Sequence, residues 1–110
     1  VEQAAALLEA DALSAQAEEA QINLQLQLNK AVQDFQRAAE EAKKYTSRML
    51  PMAEHAHELS RQGYDAGRYS WLERLTTQHD LAALRVRHVE ALLVAHKASA
   101  QLDQFRTGEE

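Results

Sequence analysis

Apolar and polar residues follow one another along this chain with the period of an α-helix, and they do so over long stretches. From Leu24 onward the apolar positions are spaced four, three, four, three: Leu24, Leu28, Ala31, Phe35, Ala38, Ala42, Tyr45, Met49 and Met52. This is a heptad seam sustained for about four heptads, the pattern of a helix packed along a partner helix. Away from it stand Asp34, Arg37, Glu40, Glu41, Lys43, Lys44 and Arg48, a solvated face on which Glu40 and Lys44 are favourable i,i+4 neighbours. Upstream, Leu7, Leu8, Leu13 and a run of alanines give a thinner stripe, which permits close packing but supplies little area.

Two features cut across a single first helix. Between Ile22 and Asn29 the apolar residues alternate with period two, a strand pattern. No turn signal bounds that run and the helical seam passes through it, so a helix whose buried face is widened by Leu26 is the favoured reading. Pro51 removes a backbone donor and clashes with the preceding turn. It predicts a kink near Ser47–Pro51, with a full break into two helices as the alternative; the helical pattern resumes at Met52, Ala56 and Leu59.

The turn is the best-marked local feature. Residues 62–70 hold Gly63 and Gly67, either of which can take the positive φ that ends a helix. Ser70 stands three residues before Glu73, the spacing of a capping box. The pattern thus predicts a long helix over 1–62, a tip loop over 63–70 and a return helix over 71–107. The return helix is expected to turn inward Trp71, Leu72, Leu75, His79, Ala82, Val86, Val89, Leu92, Leu93 and Ala100, with Leu102 and Phe105 extending that face. The hairpin core is expected from Leu24, Leu28, Phe35, Tyr45 and Met49 on one side and Leu72, Leu75, Val86, Val89 and Leu93 on the other.

The predicted fold is all-α, a long antiparallel α-helical hairpin of coiled-coil type. Its first helix measures roughly 90 Å and its second roughly 50 Å. Residues before about Leu24 then have no internal partner, which points to oligomerisation or insertion into a larger helical array.

Composition narrows the function. The 110 residues include three glycines and one proline, so the punctuation of a multi-strand fold is nearly absent. A net charge of -5 with both signs interspersed shows no basic face for nucleic acid. With no cysteine, disulfides and thiolate metal sites are excluded. No run of 18 apolar residues is present, so this segment holds no membrane-spanning helix. The chain begins at Val1 without an initiator methionine or signal peptide and is read as a piece of a longer protein.

No phosphate-cradling glycine loop, nucleophile elbow or HExxH motif occurs, and the expectation is a non-enzyme without cofactor. Among five histidines, His55 and Glu58 are three apart and are the only weak metal candidates. Zinc wants three or four ligands, so a site there needs a second chain, and no metal is expected. His79 falls on the apolar side of the return helix and is expected at the interface. Tyr64, Tyr69 and Trp71 cluster at the tip, where they either seal the end of the two-helix stack or dock onto a partner. Arg68 is either the polar anchor of such a contact or a solvated turn residue.

The segments Met49–Glu54, Gly63–Leu75 with Gln78, and Leu102–Gly108 together resemble the outer-membrane efflux protein family, the TolC-like channels, and within it the heavy-metal (CzcC-like) branch. That family has a leucine–proline step in its long helix, here Leu50-Pro51. It has a tyrosine two residues before an alanine–glycine turn, here Tyr64 and Ala66-Gly67. Serine, leucine, glutamate, leucine and a later glutamine follow, and the segment closes on threonine–glycine. The likeness is moderate over Val1–Leu50 and more specific over Pro51–Gly108. Where the family pairs aspartate with alanine before the glutamine this chain has Thr76-Thr77, and His79-Asp80 replace an arginine–threonine.

The resemblance implies a C-terminal hairpin of a trimeric channel whose long helices form a periplasmic α-barrel beneath an outer-membrane β-barrel in a Gram-negative cell. It implies passive conduction in a tripartite export system and contact with a periplasmic adaptor (membrane fusion) protein through the tip residues Tyr64, Gly67, Arg68, Tyr69, Ser70 and Trp71. Metal ion and organic compound both remain open as the exported substrate. The alternative reading is a free-standing helical coiled-coil interaction module without channel activity, and a histidine-based metal sensor is a more distant third.

Overall fold

A computed structural model describes residues 1–108 of the chain. Those residues are helical apart from Val1 and the loop at 66–70, and no strand occurs among them. Helix α1 runs Glu2–Lys44, a five-residue π-helical turn covers Tyr45–Met49, helix α2 continues over Leu50–Asp65, and helix α3 returns over Trp71–Gly108. The period-two run at 22–29 lies inside α1, where the helical seam continues through it. Helix α3 packs against both α1 and α2, so the chain is an antiparallel hairpin. It measures 96 × 23 × 15 Å with a radius of gyration of 26.4 Å, about twice that of a compact chain of this length.

Pro51 neither breaks the helix nor leaves it regular. The Leu50 N–H donates to the carbonyl of Tyr45, five residues back instead of four, which inserts one extra residue into the turn. Pro51 then falls in the first turn of α2, where its missing N–H costs least. The Thr46 and Ser47 hydroxyls donate to the Lys43 carbonyl at 3.1 and 2.8 Å and so supply polar contacts beside the irregular turn. The first helical segment also ends later than the sequence predicts, at Asp65 rather than residue 62.

Along α1 and into the π turn the residues turned toward α3 are Leu28, Ala31, Phe35, Ala38, Ala42 and Tyr45, as the seam predicts from Leu28 onward. From the end of the π turn the expected Met49 and Met52 are displaced outward, and Leu50, Ala53, His57 and Ser60 take the seam. On α3 the inner stripe is Arg74, Thr77, Leu81, Leu84, His88, Ala91, Ala95, Ala98, Leu102 and Phe105, in three–four spacing, with Ala83 and Ser99 half-buried at its edge.

This corrects most of the expected core on the return helix. Leu72, Leu75, Val86, Val89 and Leu93 are exposed, as are Leu24 and Met49 on the first arm of the hairpin. His79 is exposed too, with Nδ1 4.0 Å from Asp80, rather than interfacial. The cause is that α3 carries two complete heptad stripes. The outer one, Leu72, Leu75, His79, Ala82, Val86, Val89, Leu93, His96 and Ala100, is offset by two residues, about 200° around the helix, from the inner one. The inner stripe, rich in alanine, matches Ala31, Ala38 and Ala42 across the interface, and small residues let the two backbones come close.

The hairpin therefore buries little. Apart from Leu81 its buried residues are small, and among the described residues no large side chain is wholly removed from solvent. All of residues 1–27 are exposed, and those before Gln27 project beyond the described part of the return helix, an overhang of roughly 40 Å at the helical rise. Surface ion pairs Lys30–Asp34 and Glu41–Lys44, both at 3.6 Å, decorate α1; Lys44 pairs with Glu41, not with Glu40. Among the described residues no helix is long and apolar enough to cross a membrane.

Candidate functional site at the hairpin tip

The tip is built by two local motifs. At the end of α2, Gly67 adopts φ +75°, its N–H donates to the Tyr64 carbonyl at 3.0 Å, and the Arg68 N–H donates to the Gly63 carbonyl at 2.7 Å. These paired bonds are a Schellman ending with Gly67 as its left-handed residue. Of the two glycines able to end the helix, Gly67 does so. Gly63 is helical and buried, and serves a different purpose: a Cβ there would run into the ring of Tyr69. The aromatic ring thus lies directly on the helix backbone, folding the loop down onto α2.

The second motif starts α3. The Glu73 N–H donates to Ser70 Oγ at 3.2 Å, and the Ser70 N–H donates to Glu73 Oε2 at 3.3 Å. This is the reciprocal capping box that the Ser70–Glu73 spacing predicts. One turn further, the Arg74 guanidinium stands 5.1 Å from the centre of the Tyr64 ring, so a cation–π contact ties α3 to α2 at the mouth of the loop. Arg74 is the tip residue that the sequence reading overlooked, because its partner lies ten positions away across the turn.

Tyr64, Gly67, Arg68, Tyr69, Ser70 and Trp71 are all exposed at one end of the rod, but with distinct surroundings. Tyr69 and Tyr64 close the end of the stack against Gly63 and Arg74. Ser70 is committed to the cap. Trp71 is 60% exposed and Arg68 projects from the loop, so these two are the side chains open to a partner.

Behind the tip an ionic cluster stiffens α2. Arg61 makes a two-point contact with Glu58, at 2.7 and 3.1 Å, and reaches Asp65 at 3.4 Å, while Gln62 Nε2 donates to Glu58 Oε1 at 3.2 Å. The bonds from Arg61 and then Gln62 hold the Glu58 carboxyl down to about 2. Glu58, one of the two weak metal candidates, is engaged with Arg61 here. Among the described residues no three His, Asp or Glu side chains converge as a metal site would require.

The seam also contains polar groups that the sequence pattern did not single out. His57 and His88 are half-buried between the helices, with His88 6.1 Å from the ring centre of Tyr45. His57 Nδ1, Ser60 Oγ and His88 Nε2 are buried without a hydrogen-bond partner.

No family model, curated protein or solved structure matches this chain.

Proposed function

We propose that this chain is one wall hairpin of an outer-membrane efflux channel, standing in the periplasmic tunnel and meeting a periplasmic adaptor at its tip. The observation that carries the reading is the double stripe of α3. The inner stripe is covered by α1 and α2, while the outer one, from Leu72 through Val86 and Leu93, is a second helix-packing face with no occupant in the hairpin. A helix in the wall of a helical barrel needs two such faces, one for each neighbour.

Three further features support it. The 96 Å rod has the proportions of a tunnel element, the overhang at 1–27 offers more unpaired helix surface, and the order of motifs around Pro51, the tip and the C-terminal end resembles that channel family. In this reading the intact protein is a trimer, conduction is passive, and Arg68 and Trp71 face the adaptor. A free-standing interaction module would need a partner helix of its own to cover the outer stripe of α3, and it lacks the support of the motif order.

The test is made in the intact protein. Arg68→Glu and Trp71→Ala should each weaken adaptor association and export-dependent resistance, and a photoreactive group at 68 should crosslink to the adaptor. Unchanged association and resistance in both variants, with no crosslink, would overturn the tip assignment.

A further inference from the structure

The seam of the first arm of the hairpin can be continued past Tyr45 in two ways. Keeping strict heptad spacing, the next positions are Met49, Met52, Ala56 and Leu59. The positions that actually face α3 are Leu50, Ala53, His57 and Ser60, one residue later, because the π turn adds one residue before them. A one-residue offset is a rotation of about 100° about the helix axis. The chain therefore encodes two complete, mutually exclusive inner faces for α2.

The occupied face is the more polar one. It buries Ser60, at 5% exposure, and leaves His57 Nδ1 and Ser60 Oγ without partners. The unoccupied face is wholly apolar, yet Met52 is 62% and Leu59 49% exposed. Met49, Met52 and Ala56 instead edge an open groove of about 380 Å³ with Thr77, Asp80 and Leu84. Burying unpartnered polar atoms while leaving large apolar side chains in water is the reverse of what packing alone selects. What opposes the apolar face is Pro51. A regular α-helix through this region would place the Pro51 ring against the Ser47 carbonyl four residues before it, and the wider π turn avoids that clash.

We propose that α2 is a two-register element: the π turn at Tyr45–Met49, held by Pro51, keeps the His57/Ser60 face inward, and loss of that turn rotates α2 to bury Met49, Met52, Ala56 and Leu59. The tip changes with it. In the second register Tyr64 turns away from Arg74, and the loop side chains are carried to a new side of the rod. Packed interfaces of this kind have discrete arrangements rather than a continuum, so a local change at Pro51 becomes a rotation at the tip about 15 residues away. The device belongs to the hairpin itself and holds whichever assembly the hairpin serves.

The chain lacks cysteine, so single cysteines report register directly. Leu59→Cys and Ser60→Cys are made in the full chain, with and without Pro51→Ala, and the rate of maleimide labelling is measured at each. With Pro51 present, position 59 should label at least tenfold faster than position 60. With Pro51→Ala the order should invert. A position 60 that stays protected while 59 stays reactive in the Pro51→Ala chain would overturn the proposal.

Because removing a proline from a helix leaves a second outcome, fraying, a further variant keeps Pro51 and places a charge on the occupied face. His57→Lys should drive α2 into the other register, protecting position 59 and exposing 60. Fast labelling of both positions in the two backgrounds would mean that α2 detaches instead of rotating, and that result also overturns the two-register reading.

Discussion

The ring of Tyr69 occupies the space that a side chain on Gly63 would need. The contact joins the loop to the last turns of α2 through a backbone surface. Its strength therefore depends on the absence of one carbon atom, and its sign under mutation depends on both residues.

Gly63→Ala is expected to destabilise the hairpin by about 1–3 kcal/mol, the usual cost of forcing an atom into occupied space. In a Tyr69→Ala background the same change should become neutral or stabilising, since alanine is worth up to about 1 kcal/mol over glycine inside a helix. Thermal unfolding followed by circular dichroism across the four proteins checks this. A Gly63→Ala effect of equal size in both backgrounds would show that the ring is not the obstacle.

At Gly67 the cost has a different origin. No atom lies near the place of its missing Cβ, but φ is +75°. Gly67→Ala should cost about 1–2 kcal/mol from backbone strain alone, and Gly67→Asn should cost less, because asparagine tolerates the left-handed region. Equal losses for the two would point away from backbone conformation.

The Glu58–Arg61 pair sets an acid limit on the tip end of α2. Folding holds the Glu58 carboxyl at about 2, below its ordinary 4.5, so folding favours the ionised form. Its contribution is complete above about pH 4.5 and disappears as pH falls to 2. Arg61→Gln should flatten that part of the melting-temperature profile by lowering stability at pH 7, only slightly because exposed ion pairs are screened, while converging with wild type near pH 2. A wild-type profile with the same acid slope as Arg61→Gln would remove Glu58 from the account.

The two stripes of α3 should respond oppositely to truncation. Leu81 is 5% exposed and Leu81→Ala is expected to cost about 2–5 kcal/mol. Val86 is 58% exposed, and Val86→Ala in this chain should fall within about 0.5 kcal/mol of wild type. Chemical denaturation of the chain measures both. In the intact protein Val86→Asp should disturb assembly, because a charge there would enter a helix–helix contact.

Much of the hairpin is legible from local rules. The seam from Leu28 to Tyr45 follows from heptad spacing, the helix start from Ser70 and Glu73, and the turn from its two glycines. Each of these depends on residues a few positions apart, whose geometry is set by the helix itself. Arg74 over Tyr64 and Tyr69 against Gly63 are less visible, because their spacing has meaning only once the turn has closed.

What the sequence by itself determined is that this chain is helical, that it reverses near Gly67, and that its helices carry apolar stripes. Periodicity states that a stripe exists, not which stripe a neighbour covers. Helix α3 has two of equal regularity, and α2 has two continuations one residue apart. Only the tertiary structure decided between them: the alanines of α1 draw α3 close on its small-residue side, and the π turn beside Pro51 rotates α2 by one position. Both choices are made by backbone approach and by a proline clash, physical terms that hydrophobic spacing along the chain does not contain.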